Sequence, residues 1–198
     1  MRLYLSPDAS HLILPKDQVN ESGKPIVFDV NRYDDGMRLD SPFLLVNDSI
    51  PSLPDTCAIL SFSGTLSLLK KDHPLIFSGT RSMTMHEKAI LSARKITTYS
   101  MKEISVNGIR ETCDAVMANS LRFPQLFIAI DLDILDPAFT GNPSTPSLLS
   151  LPGGMTIREL IYFLQRIRLL RNFYGAGITL PKNKQQEQVV VKLLLELA

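Results

Sequence analysis

The stretch that decides the reading is "LFIAIDLDILDPAF", Leu126 to Phe139. An apolar run suited to a buried strand ends in three aspartates, Asp131, Asp133 and Asp136. Residues i and i+2 of a strand face the same way. The spacing therefore predicts a strand over 126–132 with the carboxylates of Asp131 and Asp133 side by side. Two such carboxylates repel each other, and burial makes their ionisation harder still. A divalent cation resolves that conflict, and oxygen ligands suit Mg or Mn. Without a cation, at least one of the pair should have a raised pKa or find a Lys or Arg. Aspartate at a strand end and Asp136-Pro137 are also ordinary turn vocabulary, so the motif alone leaves both readings open.

The rest of the composition narrows the class. A chain of 198 residues with 44% hydrophobic and 21% charged residues is expected to form one globular domain, 1–198, with a substantial core. A net charge of +1 gives no electrostatic reason to expect nucleic acid or an anionic membrane. Two cysteines, Cys57 and Cys113, imply a reducing compartment and no disulfide framework. No apolar run reaches the ~18–20 residues that span a bilayer, and the N-terminus lacks a signal-peptide core. The chain reads as soluble and cytoplasmic.

Along the chain, "RLYL", "HLIL" and "PIVFDV" are β-like pieces before the charged loop "NRYDDGMRLD". "FLLV" (43–46), "CAILSF" (57–62) and "PLIF" (74–77) predict short buried strands. "TMHEKAILSARK" predicts a helix capped by Thr84, with Glu87 three residues on as in a capping box. A second helix is expected over "EISVNGIRETCDAVMANSL", weakened by Gly108. "TIRELIYFLQRIRLLRN" is the clearest helix, with Ile157, Leu160, Ile161, Leu164, Ile167 and Leu170 on one face. A short piece at "YGAGITL" comes next, and a final helix over "QQEQVVVKLLLELA" closes the chain. Strands alternating with helices predict an α/β fold with a mostly parallel sheet.

The residues around and beyond the aspartates carry a resemblance. "IAIDLDILDPAF", then Ser144-Thr145-Pro146, then Pro152-Gly153-Gly154-Met155-Thr156 and Arg158-Glu159 resemble the signature of the arginase/agmatinase (ureohydrolase) family. "IFSGTRSMTMHE", "YSMKEISVNGI" and "YGAGITLP" resemble further segments of that family, so the likeness covers about 42–198. It implies a three-layer arginase/deacetylase-like fold, and by family habit a homo-oligomer. It also implies an activity: hydrolysis of guanidino or related amidine groups at a two-manganese site whose bridging hydroxide attacks the substrate carbon.

The same resemblance shows where this chain departs from the pattern. Of the family's three ligand motifs only Asp131 and Asp133 are clearly present. Aligning "ILSFSGTLSL" with the family's "viHFDAHtDL" puts Ser63, Thr65 and Ser67 where Asp, His and Asp belong. Neutral hydroxyls bring no charge and bind divalent ions weakly. Asp48 falls loosely at the position of another family ligand, a His. The substrate-side Glu and its preceding Asp fall at Leu180 and Gly177, and His73 has no persuasive claim to a substrate role. The expectation is a degenerate member without turnover, kept for a structural, regulatory or ligand-binding role. At most one Mn or Mg would be held by Asp131, Asp133 and Asp48, with a small guanidino or other compound as ligand. The alternative is a surviving metal-dependent amidine hydrolase built around Asp131 and Asp133. A nucleotide-phosphate binder using Asp131 and the backbone N–H groups of "PGGMT" is a third class. His11 and His86 read as structural or solvated, and the arginines of the 157–171 helix as a solvated face.

Overall fold

The computed structural model describes residues 1–16, 18–19, 24–68, 72–81, 83–141 and 152–198. Eight strands form one sheet: β1 (Arg2–Leu5), β2 (Asp29–Arg32), β3 (Phe43–Val46), β4 (Cys57–Phe62), β5 (Leu75–Thr80), β6 (Thr97–Ser100), β7 (Gln125–Ile130) and β8 (Phe173–Ile178). Their order is β2-β1-β3-β8-β7-β4-β5-β6, and every pairing is parallel. All strands therefore end at one edge of the sheet. The order reverses where β8 and β7 insert between β3 and β4, and open α/β sheets open a crevice at such a switch point.

The central strands are apolar throughout because both faces are covered. β3 and β4 are fully buried, as expected from "FLLV" and "CAILSF". One face carries α2 (Met101–Asn107), α3 (Ile109–Ser120), α5 (Ile157–Ile167) and α6 (Lys184–Leu197), through Ile104, Val116, Leu164 and Val190 among others. The other face carries α1 (Met85–Ala93), through Leu91, and the loops that contribute Tyr33, Leu39 and Leu66. The three-layer α/β expectation holds, with helices unequally shared between the faces. Both cysteines are free and buried, and burial pushes their thiols up to about 11. No described helix is long and apolar enough to cross a membrane.

Local chemistry accounts for most boundaries. Thr84 and Glu87 form the capping box foreseen at α1, and the same device starts α2 at Ser100/Glu103 and α5 at Thr156/Glu159. The helix expected over 103–121 is two helices: Gly108, at φ +89°, ends α2 and begins α3. "HLIL" forms no strand; Leu12 is buried but Ile13 faces solvent. The strand expected in "PIVFDV" starts later, at Asp29. The polar "TTYS" forms an edge strand that its composition does not announce.

The strand expected over 126–132 stops at Ile130. Asp131 caps a single 3-10 turn, Leu132–Ile134, and its side chain accepts the N–H of Asp133 at 3.2 Å. The two carboxylates are thus brought together by a turn and not by strand alternation. Ser144-Thr145-Pro146 and the Ser82 of "IFSGTRS" lie outside the described residues.

Candidate functional site

Parallel register assembles the site at the carboxyl edge of the sheet. Phe62, Ile130 and Ile178 lie side by side across β4, β7 and β8, and Val46 of β3 lies beside Ile178. The next residues, Ser63, Asp131, Thr179 and Asn47, therefore leave the sheet together. Backbone bonds continue the ladder one step past the strands. Asp131 N–H donates to Phe62 O at 2.9 Å, Thr179 N–H to Ile130 O at 3.0 Å and Asn47 N–H to Ile178 O at 3.0 Å. One row back, Ser61, Ala129 and Gly177 are aligned in the same way.

Asp133 is held by the loop after β4. Its Oδ1 accepts the Ser63 hydroxyl at 2.9 Å and the Gly64 N–H at 2.9 Å. The Ser63 Oγ also lies 3.2 Å from Thr65 Oγ1 and accepts the Thr65 N–H at 3.2 Å. Two of the three hydroxyl residues singled out in the sequence thus form one network with the aspartate. Ser67 lies apart from it, lining the neighbouring cavity. Burial first, then the nearby Asp131 charge, push the Asp133 carboxyl up to about 6, against the opposing pull of those hydrogen bonds and of Arg81. Burial likewise raises Asp131, with Asp48 adding to the shift while Lys182 and the Thr179 hydroxyl oppose it. Asp48 lines the same cavity as Asp131, and its Oδ1 accepts the Leu180 N–H at 2.9 Å. Among the described residues, no group of three or more His, Cys, Asp or Glu is arranged to hold a metal ion.

The third aspartate of the motif has a different task. Asp136 caps the short helix α4 (Pro137–Thr140), accepting Ala138 N–H at 3.0 Å. Its other oxygen accepts Gly153 N–H at 2.7 Å and Gly154 N–H at 3.3 Å. These bonds hold its pKa below the usual carboxylate range. The "PGG" turn is therefore a built anion cradle, and its anion is a side chain of the same protein. The nucleotide-phosphate reading loses the free N–H groups it required. Arg81 seals the loop from the other side, donating to the carbonyls of Asp133 (3.2 Å) and Leu135 (2.6 Å). A Cβ on Gly154 would lie 2.1 Å from the Arg81 guanidinium and 2.5 Å from the Asp136 nitrogen, so only glycine fits.

β8 presents glycine to two aromatic rings. A Cβ on Gly175 would meet Phe43 at 2.9 Å, and one on Gly177 would meet Phe127 at 2.9 Å. Phe43 and Phe127 are buried and pack against each other, tilted by 33° with centroids 5.9 Å apart. Phe127 thus occupies the space over Gly177 on the floor of the site. Gly177→Ala should cost about 1–2 kcal/mol through overpacking, read as a lower urea midpoint at unchanged slope. An unchanged midpoint would mean the ring yields freely.

A sequence profile of the arginase family matches residues 36–182. The chain belongs to the arginase family. It is 31% identical over 129 residues to "Arginase, non-hepatic 3" of Xenopus laevis, covering 63% of this chain and 33% of that protein. It is 20% identical over 122 residues to an arginase of Entamoeba histolytica, covering 62% and 40%. The matched stretch thus spans only a third to two fifths of these relatives. Among solved structures, a formimidoylglutamase from Bacillus subtilis superposes with a TM-score of 0.74 at 14% identity, covering 98% of this chain and 84% of that one. An Entamoeba histolytica arginase in complex with L-ornithine gives 0.70 at 10%, covering 99% and 97%. The arginase-family fold is therefore shared over nearly the whole of this chain, at identities that speak for fold alone.

Neither the Asp136 clamp nor the ring over Gly177 is predicted by the sequence. A third aspartate with Gly-Gly 17 residues further on is the only signal that points towards the clamp. No local signal announces a ring from β7 above β8.

Proposed function

We propose that this arginase-family chain carries a dismantled binuclear metal centre and performs no ureohydrolase turnover, its fold serving a structural, regulatory or ligand-binding role. The observation that carries this reading is the pair of hydrogen bonds from Ser63 and Gly64 onto Asp133 Oδ1. A carboxylate that bridges or binds metal directs its lone pairs at the ion; here one oxygen is engaged by an O–H and an N–H. The surrounding donors, Ser63, Thr65 and Ser67, are neutral hydroxyls, with no imidazole among them. That set does not fit two divalent ions, which need anionic oxygen or imidazole to offset their charge. Without a metal there is no means of lowering the pKa of water to make a hydroxide near neutral pH.

One observation favours a second reading, a metal-dependent hydrolase of amidine or guanidino C–N bonds at an altered site. Burial raises the pKa values of both Asp131 and Asp133, and a single Mn or Mg would relieve that crowding. Elemental analysis after manganese loading and desalting, then urea-release assays with arginine, agmatine and related guanidines, separates the two. The expected result is less than one manganese per chain and no urea above background. Two retained manganese ions, or turnover that disappears in Asp131→Ala, would overturn the proposal in favour of the second reading.

A further inference from the structure

The segments "HLIL" (11–14) and "PIVFDV" (25–30) lie ahead of the stretch 36–182 that the family profile matches. Each contains an unbroken apolar run, Leu12 to Pro15 and Pro25 to Phe28, the pattern of a strand covered on both faces. Here one side alone is covered. Leu12 is buried, and Leu14 and Phe28 pack against the same core cluster as Val190 of α6. The residues between them turn away from that cluster: Ile13 is 87% and Val27 71% exposed. Val19 stands opposite Pro25 in an antiparallel bridge, and the Ile26 N–H donates to Gln18 O at 2.8 Å. Opposed residues share a side, as do residues i and i+2. Val19, Pro25 and Val27 therefore form one stripe, and Val19 and Pro25 are exposed as well.

We propose that this stripe, together with Ile13, is the contact surface of a symmetric dimer, covered by the same residues of a second copy of this chain. Ile13, Val19, Pro25 and Val27 leave on the order of 400 Å² of apolar surface in water, the size of patch that marks a contact site. None of these side chains carries a charge, which suits the charge-depleted centre of a homodimer interface and not an acidic or basic partner. Among the described residues, the large hydrophobics exposed elsewhere are Met37, Met85, Val106, Leu121 and Leu169, on five separate segments. A matching apolar face is thus offered by the same stripe of another copy. A two-fold axis pairs the patch with itself and closes the assembly at two chains. The patch supplies about half of the ~800 Å² that each partner buries in a stable interface, the rest falling to polar residues around it. Neither Asp131 nor Asp133 takes part, so the dimer does not depend on whether a metal is bound.

Sedimentation velocity of the full chain at rising protein concentration tests this. A monomer–dimer equilibrium is expected. Val27→Ser should weaken it about tenfold, because the symmetric contact loses the valine twice. Val27→Lys should weaken it at least about a hundredfold, because two unpaired charges then enter an apolar contact. Leu169→Lys alters a comparably exposed side chain on another segment and should leave the dimer as in the parent. Val27→Ser keeps the test valid if Val27→Lys does not fold. A parent that stays monomeric at every concentration, or a dimer untouched by either change at Val27, would overturn the proposal. So would a dimer lost in Leu169→Lys, or assembly that continues beyond two chains.

Discussion

Asp136→Ala is expected to destabilise the protein by about 2–3 kcal/mol, the largest loss foreseen for a single polar side chain here. Three N–H groups, on Ala138, Gly153 and Gly154, lose their acceptor. Each hydrogen bond to a charged group is worth roughly 1.5–3 kcal/mol, but Asp136 is partly solvated, and screening together with non-additivity reduces the sum. Asp136→Asn keeps one acceptor oxygen and should fall between the two. The pH dependence has a definite sign. The folded-state pKa is depressed, so the contribution is present above the unfolded value near 4 and is lost as pH falls through the lower folded value. Urea unfolding at pH 7 and pH 3 checks both points. A variant as stable as the parent at pH 7 would show that water replaces the clamp at no cost.

Asp133→Asn is expected to act in the opposite direction, raising stability by on the order of 2 kcal/mol at pH 8. Asp133 is raised from an ordinary 3.8 to about 6 by burial and by Asp131. A raised carboxylate favours the folded state most when protonated, so its contribution is fully present below about pH 4 and is lost as pH rises through about 6. At pH 8 the folded protein carries an ionised group that its surroundings penalise by roughly 1.4 kcal/mol per pKa unit. Asparagine removes that charge and keeps a carbonyl oxygen for Ser63 and Gly64. The gain should shrink towards zero near pH 4, where the parent side chain is itself neutral. Thermal melts of both proteins from pH 4 to pH 8, with and without manganese, provide the measurement. A variant less stable than the parent at pH 8 would contradict the pKa assignment, and a loss seen only with manganese would mark Asp133 as a working ligand.

The sequence carries the architecture because it is written in local terms. Buried strands such as "FLLV" and "CAILSF" are apolar on both faces. Thr84 with Glu87 encodes a helix start in four residues. The failures share a cause. "TTYS" becomes a strand only because β5 lies beside it, and "HLIL" stays outside the sheet because no neighbour pairs with it. At the site, Asp131 and Asp133 are legible as a pair, but the chain joins them by a turn where the spacing suggests strand alternation. The bonds from Ser63 and Gly64 to Asp133 join residues 70 and 69 positions apart. No window of sequence contains both partners of such a contact.

The order of strands also constrains how the molecule is made. β3 and β4 are consecutive in sequence, yet β8 and β7 stand between them. Phe43 pairs with Gly175, and Cys57 pairs with Gln125. As the chain emerges from the ribosome, β1 to β3 can form one ribbon and β4 to β6 another, but nothing joins them until the last third of the chain arrives. Until then the two most apolar edges of the future sheet, "FLLV" and "CAILSF", lie open to other chains. Distant pairings of this kind also slow folding, because loop closure precedes any reward. Assembly of this protein is thus a race between the arrival of its final strands and self-association of the unfinished sheet.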